Sequence, residues 1–330
     1  MKTDTLLRVI ILVITLTCFV ADHTNAQGRH INDSALLEVY REIADMGPNL
    51  NLQVVQRTVD MFVSLHENSD KEGVRAYRDL SYGPDPERHL LDVYTPEDAD
   101  GRLPVVVFIH GGGLTSGHKD NEVSDLMYAN IGIYFSRNDM VGINATYRLV
   151  PNITYPQGGE DMKAIVNWIR DNSDEYGIDP EQIFFLCASA GCTHVSSLLF
   201  DLDMMDDATP DIAGAIMLSG AYEGWNQDYY GTDADIMRSN VPLGLAQSYE
   251  GIPVPILLMS AEYDPTPIKI STIRLLLTLC EKRNSCPRYI QAQDHNHVSI
   301  NRHINTSDER YTQQILEFIR KVTCRDKKAP

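Results

Sequence analysis

Short apolar runs alternate with longer segments of helical spacing over most of the chain, and this alternation limits the fold more than any other feature. The run from Leu103 to Ile109 is rich in β-branched residues, as expected for a strand buried on both faces. Similar runs predict strands at 140–146, 183–188, 213–218, 255–260 and 289–292, and helical spacing predicts helices at 122–137, 158–172, 266–282 and 308–322. Strands that alternate with helices predict an α/β fold with a mainly parallel sheet covered on both faces.

A main domain over residues 74–330 follows from this alternation. Its first two strands, 75–82 and 89–94, flank a Gly-Pro-Asp-Pro turn and are predicted to form an antiparallel pair. The segment 222–250 interrupts the alternation with Gly, Asp, Asn and Tyr, and we interpret it as a lid-like insertion. Because α/β folds of this length often form one unit, a single domain is favoured over two.

The N-terminal segment has two parts of different character. Residues 1–26 combine basic residues, an apolar run from Val9 to Ala21 and a small residue, Ala26, which is the plan of a signal peptide. The run is shorter than the about 20 residues that a membrane span needs, so a secreted or periplasmic location is predicted, with an uncleaved anchor as the alternative. Residues 27–73 carry two helical patterns and are predicted to form an N-terminal helical arm or a cap over a site.

The net charge and the cysteines limit the partners that the chain can bind and the cellular compartment in which it can act. The formal net charge of -18 disfavours binding to nucleic acid and to anionic membranes. Neither a Cys-x-x-Cys nor a His-Glu-x-x-His spacing occurs, so no metal site is predicted. Cys280 and Cys286 lie close together at a predicted helix end and are the expected disulfide pair in an oxidising compartment, with Cys324 as the competing partner.

A glycine-rich turn follows the buried strand that ends at Ile109. In His110-Gly111-Gly112-Gly113, three successive residues lack a Cβ, so backbone N–H groups can turn toward a ligand oxygen as an oxyanion hole requires. A phosphate site is the alternative. Neither the Lys-Ser/Thr of a P-loop nor the spacing of a dinucleotide motif is present, which favours the oxyanion hole.

A serine lies between the strand 183–188 and an apolar helix that begins near residue 190. Where a strand turns sharply into a helix, the serine projects at the apex and small residues are needed two positions to either side. Gly191 meets this requirement for Ser189, whereas Cys187 stands where glycine is usual. We expect Cys187 and Cys192 to be buried free thiols, because a bridge between them would distort the turn.

Two carboxylates and two histidines follow later strands. Glu262 and Asp264 come at a strand end, and either could orient a histidine; we choose Asp264 because it lies last in this segment, directly before a proline. His295 and His297 lie in a polar loop after the final strand, and in an extended chain their spacing points them to the same side. Asp294 could hold His295 as an ordinary surface pair.

The order of these features raises their significance above that of each one alone. A serine hydroxyl is a weak nucleophile and needs an imidazole to take its proton and a carboxylate to orient that imidazole. The sequence meets this requirement in the order serine, acid, histidine, after a glycine-rich turn.

With these motifs the chain resembles the α/β-hydrolase superfamily, and within it the carboxylesterase and hormone-sensitive-lipase-like branch, near feruloyl esterases and arylformamidase-like enzymes. The resemblance covers about residues 81–322 and includes Leu-Asp-Val-Tyr at 91–94 and Tyr-Arg-Leu at 147–149. It implies an α/β-hydrolase fold over 74–330, with a cap or lid from the N-terminal helices and the insertion.

The resemblance also assigns residue roles. It implies Ser189 as nucleophile and favours His297 as base, since this histidine directly precedes the apolar and small pair Val298-Ser299. The implied oxyanion donors are the backbones of Gly112, Gly113 and Ala190. The polar groups expected to be scaffold are Tyr147, Arg148, Asp161 and His110.

The function expected from these roles is hydrolysis of a small-molecule carboxylic ester through an acyl-enzyme, without metal or organic cofactor. Amide or formamide hydrolysis by the same residues is one alternative. A catalytically silent fold member that acts as a binding module is the other. The acyl and alcohol specificity and the oligomeric state stay open.

Overall fold

One eight-stranded sheet forms the centre of the molecule. The computed structural model describes residues 33–67, 69–120, 126–201, 204, 212–224, 226–251, 254–283 and 285–326. The strands are β1 Val74–Ser81, β2 Leu90–Pro96, β3 Leu103–Ile109, β4 Val141–Ala145, β5 Ile178–Ala188, β6 Ile212–Leu218, β7 Ile256–Tyr263 and β8 Arg288–Asn296. Their order is β1-β2-β4-β3-β5-β6-β7-β8, with β1 and β2 antiparallel to their neighbours and all other pairs parallel. The α/β fold and the first antiparallel pair predicted from the sequence are confirmed.

Helices cover both faces of this sheet. They are α1 Ser34–Met46, α2 Leu52–Glu67, α3 Leu126–Ser136, α4 Gln157–Tyr176, α5 Gly191–Phe200, α6 Gln227–Tyr230, α7 Ala234–Asn240, α8 Pro242–Ser248, α9 Thr266–Arg283, α10 Ser299–Arg302 and α11 Thr312–Asp326. The cores place α4, α5, α8 and α9 on one face and α3, α10 and α11 on the other. In the ranges that the structure describes, no helix is both long and apolar enough to cross a membrane.

Alternating side chains of the central strands build the two cores. On β3, Val105 and Val107 point into the core with α4 and α5, while Val106 and Phe108 point into the core with α3 and α11. All four side chains are almost fully buried. At about 25 cal/mol per Å² of buried apolar area, each contributes roughly 1.5–3 kcal/mol to folding. The nearly continuous apolar run therefore reflects burial on both faces.

The N-terminal helices pack on one end of the sheet. Asp33 caps α1, where its carboxylate accepts hydrogen bonds from the backbone N–H groups of Ala35 and Leu36. The apolar faces of α1 and α2 form a separate core that includes Val298, just beyond β8. Helix α1 contacts β8, and α2 contacts α3 and α10. These helices thus touch the segment that follows β8.

The insertion 222–250 forms the three short helices α6, α7 and α8. Helix α8 packs on α5 and α9. Tyr229, Tyr230 and Val241 form a small core with Leu114 and Ala190, next to the glycine-rich turn. The insertion therefore lies beside the residues that the sequence singles out around Ser189. Residues 1–26, predicted to be a signal peptide, lie outside the described residues.

Two disulfides are present among the described residues. Cys280–Cys286 closes the end of α9, as predicted, and Cys324 is exposed and unpaired. The expectation of free thiols at Cys187 and Cys192 is wrong, because these two residues form the second disulfide. The turn brings their Cα atoms to 5.0 Å, within the range that a disulfide spans, so the bridge fits the turn without opening it.

Candidate active site

Ser189 occupies the sharp turn between β5 and α5. Its φ is 51°, a left-handed conformation that few residues other than glycine adopt. The backbone N–H of Ser189 donates to Leu218 O at 3.0 Å, and its carbonyl accepts from the N–H of Cys192 at 3.1 Å and of Ala221 at 3.3 Å. These bonds tie the strained turn to the end of β6 and to Ala221 beyond it, and the Ser189 side chain lies at the apex of the turn.

Close backbone packing explains the small residues around this serine. A Cβ on Gly191 would lie 2.5 Å from His110 O and 2.6 Å from Ile109 O, so any larger residue would force the two segments apart. A Cβ on Gly111 would lie 3.0 Å from the Ser189 Cβ. The glycine-rich turn and the serine turn are therefore in van der Waals contact. Cys187 occupies the position where glycine is usual, and its disulfide to Cys192 links the two sides of the turn.

The glycine-rich turn has a conformation that requires glycine. Gly112 and Gly113 have φ of 121° and 65°, and a Cβ on Gly112 would lie 2.0 Å from Ser116 O. The carbonyl of Gly112 accepts hydrogen bonds from the backbone N–H groups of Thr115 and Ser116. Ala190, the third predicted oxyanion donor, lies directly after Ser189 and packs against Leu114. The structure thus places Ala190 and the glycine-rich turn, through Gly111, beside Ser189.

The two other predicted catalytic side chains form a line of contacts that begins at Ser189. His297 Nε2 lies 2.8 Å from Ser189 Oγ, and His297 Nδ1 lies 2.7 Å from Asp264 Oδ1. The side chain of His297 is 6% exposed and that of Asp264 is completely buried, and Ser189 is partly buried. A proton assigned to Nδ1 leaves Nε2 as an acceptor that faces the serine hydroxyl. This arrangement can transfer the hydroxyl proton to the imidazole.

Ser219 is a contributor that the sequence reasoning missed. Its hydroxyl donates to Asp264 Oδ2 at 2.6 Å, and the N–H of Ala261 donates to the same oxygen at 2.7 Å. Both oxygens of Asp264 are therefore used, one by His297 and the other by these two donors. Ser219 directly follows the last residue of β6 and has φ 47°. In the sequence, its role is signalled only by its position at a strand end next to the end of β7.

The alternative carboxylate, Glu262, lies elsewhere. One of its oxygens accepts a hydrogen bond from the backbone N–H of Asp294 at 2.8 Å, and its carbonyl accepts from Lys269. Glu262 is still within β7, as the choice of Asp264 assumed. Asp264 lies after the strand ends and points to His297.

His295 points away from Ser189, and the expectation that both histidines share a loop and a side is wrong. The strand β8 continues to Asn296, and its pairing with β7 shifts between Ala292 and Asn296, where Asp294 has φ 67°. His295 is completely buried, with Nδ1 3.0 Å from Ser299 Oγ and Nε2 3.2 Å from Asp308 Oδ2.

The expected surface pair of Asp294 and His295 is also absent. Asp294 pairs with Arg310 at 2.7 Å, and His295 is held by Asp308 instead. Burial raises the pKa of Asp308, but hydrogen bonds from His295 and Arg310 outweigh it and hold the pKa well below its usual range. Asp308 is thus an ionised buried carboxylate that three side chains, His295, Arg310 and Tyr40, satisfy.

The polar groups expected to be scaffold surround the glycine-rich turn. His110 stacks on Tyr147 with ring centroids 4.3 Å apart, its Nδ1 lies 2.6 Å from Gly111 O, and the Tyr147 hydroxyl donates to His110 O at 2.9 Å. Burial lowers the pKa of His110 to about 3, so its ring is neutral at pH 7. Asp161 accepts hydrogen bonds from the Arg148 backbone at 2.9 Å and from its guanidinium.

No group of three or more His, Cys, Asp or Glu side chains with metal-binding geometry occurs in the part of the chain that the structure describes. The contacts of Ser189, His297 and Asp264 have the geometry that acyl transfer by a nucleophile, a base and an orienting acid requires.

Comparison with known proteins gives the same fold. A family model described as BD-FAE matches residues 91–210, which include the glycine-rich turn and Ser189. The solved structure of a bacterial heroin esterase superposes with a TM-score of 0.65 at 20% identity, over 86% of this chain and 97% of that one. The chain has the α/β-hydrolase fold.

Relatives identified by sequence are esterases by name. A probable isoprenylcysteine alpha-carbonyl methylesterase, ICMEL2, from Arabidopsis thaliana is 28% identical over 152 residues, 46% of this chain and 34% of that protein. Esterase LipQ from Mycobacterium tuberculosis is 31% identical over 122 residues, 36% of this chain and 28% of that protein. The matches span about a third or less of these relatives. The resemblance to carboxylesterases expected from the sequence is confirmed.

Proposed function

We propose that this α/β-hydrolase-fold chain hydrolyses small-molecule carboxylic esters through an acyl-enzyme on Ser189. The observation that carries the proposal is the chain of two contacts, 2.8 Å from Ser189 Oγ to His297 Nε2 and 2.7 Å from His297 Nδ1 to Asp264 Oδ1. A serine hydroxyl gains nucleophilicity only with a base in hydrogen-bond reach, and a buried carboxylate orients that base. The esterase names of the relatives support the choice of ester over other acyl substrates.

The acylation step uses these three side chains in turn. Ser189 Oγ attacks the ester carbonyl while His297 Nε2 takes its proton. One oxygen of Asp264 holds Nδ1 and stabilises the imidazolium, while Ser219 and the Ala261 N–H donate to its second oxygen. The imidazolium then protonates the alcohol oxygen, the bond from the acyl carbon to that oxygen breaks, and the alcohol leaves.

The oxyanion that forms on the carbonyl oxygen is bound by backbone N–H groups of Gly112, Gly113 and Ala190. Preorganised donors of this kind typically contribute about 10²–10³ each to kcat. The conformation of the glycine-rich turn, with φ of 121° at Gly112, supports this role. In deacylation, His297 takes a proton from water, the hydroxide oxygen bonds to the acyl carbon, and Ser189 leaves with the proton.

The test is Ser189→Ala, with Ser196→Ala as a matched control. Ser196 lies on α5 near Ser189, is completely buried, and its hydroxyl has no hydrogen-bond partner among the described residues. Hydrolysis of a p-nitrophenyl ester should fall about 10⁶-fold for Ser189→Ala, as for other serine triads. Ser196→Ala should keep both this activity and labelling by a fluorophosphonate probe.

Three results would change the proposal. Unchanged ester hydrolysis by Ser189→Ala removes Ser189 as nucleophile. If the probe labels the protein and amides or formamides are hydrolysed but esters are not, the proposed activity changes from esterase to amidase. A wild-type protein that neither turns over esters nor reacts with the probe is a binding module.

We propose in addition that the chain is exported and that residues 1–26 are removed. The disulfides Cys187–Cys192 and Cys280–Cys286 support an oxidising compartment, in which such bonds persist. N-terminal sequencing of protein collected outside the producing cell should begin near residue 27. A first residue of Met1 on membrane-bound protein would instead support an uncleaved anchor.

A further inference from the structure

The residue directly before His297 is tied to the N-terminal helices. We call residues 295–299, which comprise the last two residues of β8 and the turn that follows it, the base loop. Inside it, Asn296 Oδ1 accepts hydrogen bonds from the backbone N–H groups of Val298 at 3.0 Å and Ser299 at 2.9 Å. Asn296 Nδ2 donates to Thr58 Oγ1 on α2 at 2.9 Å. Asn296 and Thr58 are both completely buried.

The hydroxyl of Thr58 suits this contact. It donates its own proton to Val54 O, one turn earlier on α2, at 2.8 Å. Its oxygen lone pairs are therefore left to accept from Asn296. The directions of all four hydrogen bonds are mutually consistent, because Asn296 uses its amide nitrogen as donor and its oxygen as acceptor. The contact fixes the rotation of Asn296, and through it the turn from Asn296 to Ser299.

A second contact runs to α1. Tyr40 donates its hydroxyl to Asp308, the carboxylate that holds His295 Nε2, and its ring lies edge-on to His295 with centroids 5.3 Å apart. His295 and Asn296 are thus each held by one of the two N-terminal helices. Both precede His297 in the chain, and α1 and α2 also pack on Val298, which follows it.

Ser299, His295 and Asp308 have the composition of a second catalytic triad, but their surroundings exclude that role. Each is at most 1% exposed. Because Ser299 is completely buried and its hydroxyl accepts the backbone N–H of Asn296 at 2.9 Å, it presents no accessible nucleophile to a substrate carbonyl. These side chains hold the base loop.

We propose that the N-terminal helix pair positions His297 for proton transfer, and that Thr58, acting through Asn296, is its principal positioning residue. The inference rests on the proposed esterase function. His297 must keep two contacts at once, 2.8 Å to Ser189 and 2.7 Å to Asp264. A displacement of about 1 Å at a catalytic group can cost about 10²-fold in rate. The base loop has no regular strand pairing beyond Asn296, so its position depends on these side-chain contacts.

The experiment compares Thr58→Val with Thr58→Ser. Valine keeps the shape and removes the acceptor for Asn296, so kcat for a p-nitrophenyl ester should fall about 10- to 100-fold with KM unchanged. Fluorophosphonate labelling should slow in parallel. Serine restores the acceptor and should restore kcat to near the wild-type value.

The matched control is Thr272→Val. Thr272 is completely buried on α9, and its hydroxyl donates to Ile268 O at 3.0 Å, as Thr58 does to Val54 O. This variant loses the same kind of intrahelical hydrogen bond on α9, which packs on α8 and β7, so it should keep wild-type kcat. An equal loss of kcat in Thr272→Val would assign the effect to stability and overturn the proposal.

A double variant identifies the route. If Thr58 acts through Asn296, then Thr58→Val added to Asn296→Ala should lower kcat no further, because the shared contact is already absent. If Thr58→Val lowers kcat in the Asn296→Ala background by as much as it does in the wild-type background, the proposal is overturned. If Thr58→Val does not unfold cooperatively, Tyr40→Phe decides instead: a lower kcat with unchanged KM supports positioning, and wild-type kcat overturns it.

The outcome is separable from that of the proposed function. If wild-type protein hydrolyses esters and Ser189→Ala does not, while folded Thr58→Val matches wild type, only the positioning role fails. If wild-type protein neither hydrolyses esters nor reacts with the probe, the proposed function itself fails, and with it the inference that depends on it.

Discussion

Asp264 and Glu262 show how two carboxylates only two positions apart in the sequence acquire different roles. Asp264 is completely buried and uses both oxygens, for His297 on one side and for Ser219 and the Ala261 N–H on the other. Glu262 accepts a backbone N–H of Asp294 outside this set. The difference arises because β7 ends at Tyr263, so that only Asp264 lies in the turn that faces His297.

We predict that Asp264→Asn lowers kcat about 10⁴-fold, because an amide cannot hold the imidazole in the reactive tautomer or stabilise the imidazolium. The matched variant Glu262→Gln keeps an oxygen for the Asp294 N–H and should retain kcat within about twofold. Single-turnover release of p-nitrophenol measures both. The reverse ranking would make Glu262 the orienting acid.

At the scale of single elements, Asp161 links three segments around the glycine-rich turn. It lies on α4 and accepts hydrogen bonds from Arg148, which follows β4, and from His89, which precedes β2. Burial raises the pKa of Asp161, but the bonds from His89 and Arg148 outweigh it and lower the pKa below its usual value. The stability that these bonds supply is present above the unfolded pKa of Asp161 and is lost as the pH falls through the folded one.

Asp161→Ala should therefore lower the free energy of unfolding by about 3–5 kcal/mol, as expected when one partner of a buried ion pair is removed. The neighbour Glu160 has a side chain 53% exposed, and Glu160→Ala should change stability by less than about 0.5 kcal/mol. Urea denaturation at pH 7 gives both values. Equal effects of the two substitutions would contradict a linking role for Asp161.

The strands and the order of the site were predictable from the sequence because both depend on local pattern. The continuous apolar run of β3 and the glycine-rich turn after it can both be recognised directly in the amino-acid sequence. The path of the base loop was not predictable, since it depends on a shift in strand pairing at Asp294 and on Thr58, far away in the chain. The disulfide of Cys187 and Cys192 likewise depends on how the turn brings two Cα atoms together.

At the scale of the whole molecule, four buried histidines make stability depend on pH. Burial lowers the pKa of His110 and His303 to about 3 and of His66 and His194 to about 4. Above about pH 7.5 these rings are almost entirely neutral in both states and have little effect on stability. Below it, the unfolded chain takes up protons that the folded chain excludes, so stability falls until the folded pKa is reached.

Each of the four rings should then remove up to about 1.4 kcal/mol per pH unit between pH 6.5 and about 4. The melting temperature should fall steeply over this interval and change little between pH 7 and 8. In His303→Gln, one titrating group is absent and the slope should be smaller. Melting curves by circular dichroism measure the slopes, and an identical slope in the variant would mean that His303 is protonated in the folded state.

The bond between Cys187 and Cys192 encloses Ser189 in a small covalent ring. Trypsin has no site between Asp171 and Arg238, so the peptide that carries the nucleophile is long and contains this ring intact. A second protease that cuts inside the ring adds a water but leaves the fragments joined. In a mass spectrometer, the probe-labelled tryptic peptide will therefore be two hydrogens lighter than its reduced form, and backbone fragment ions from within the uncut ring will appear only after reduction.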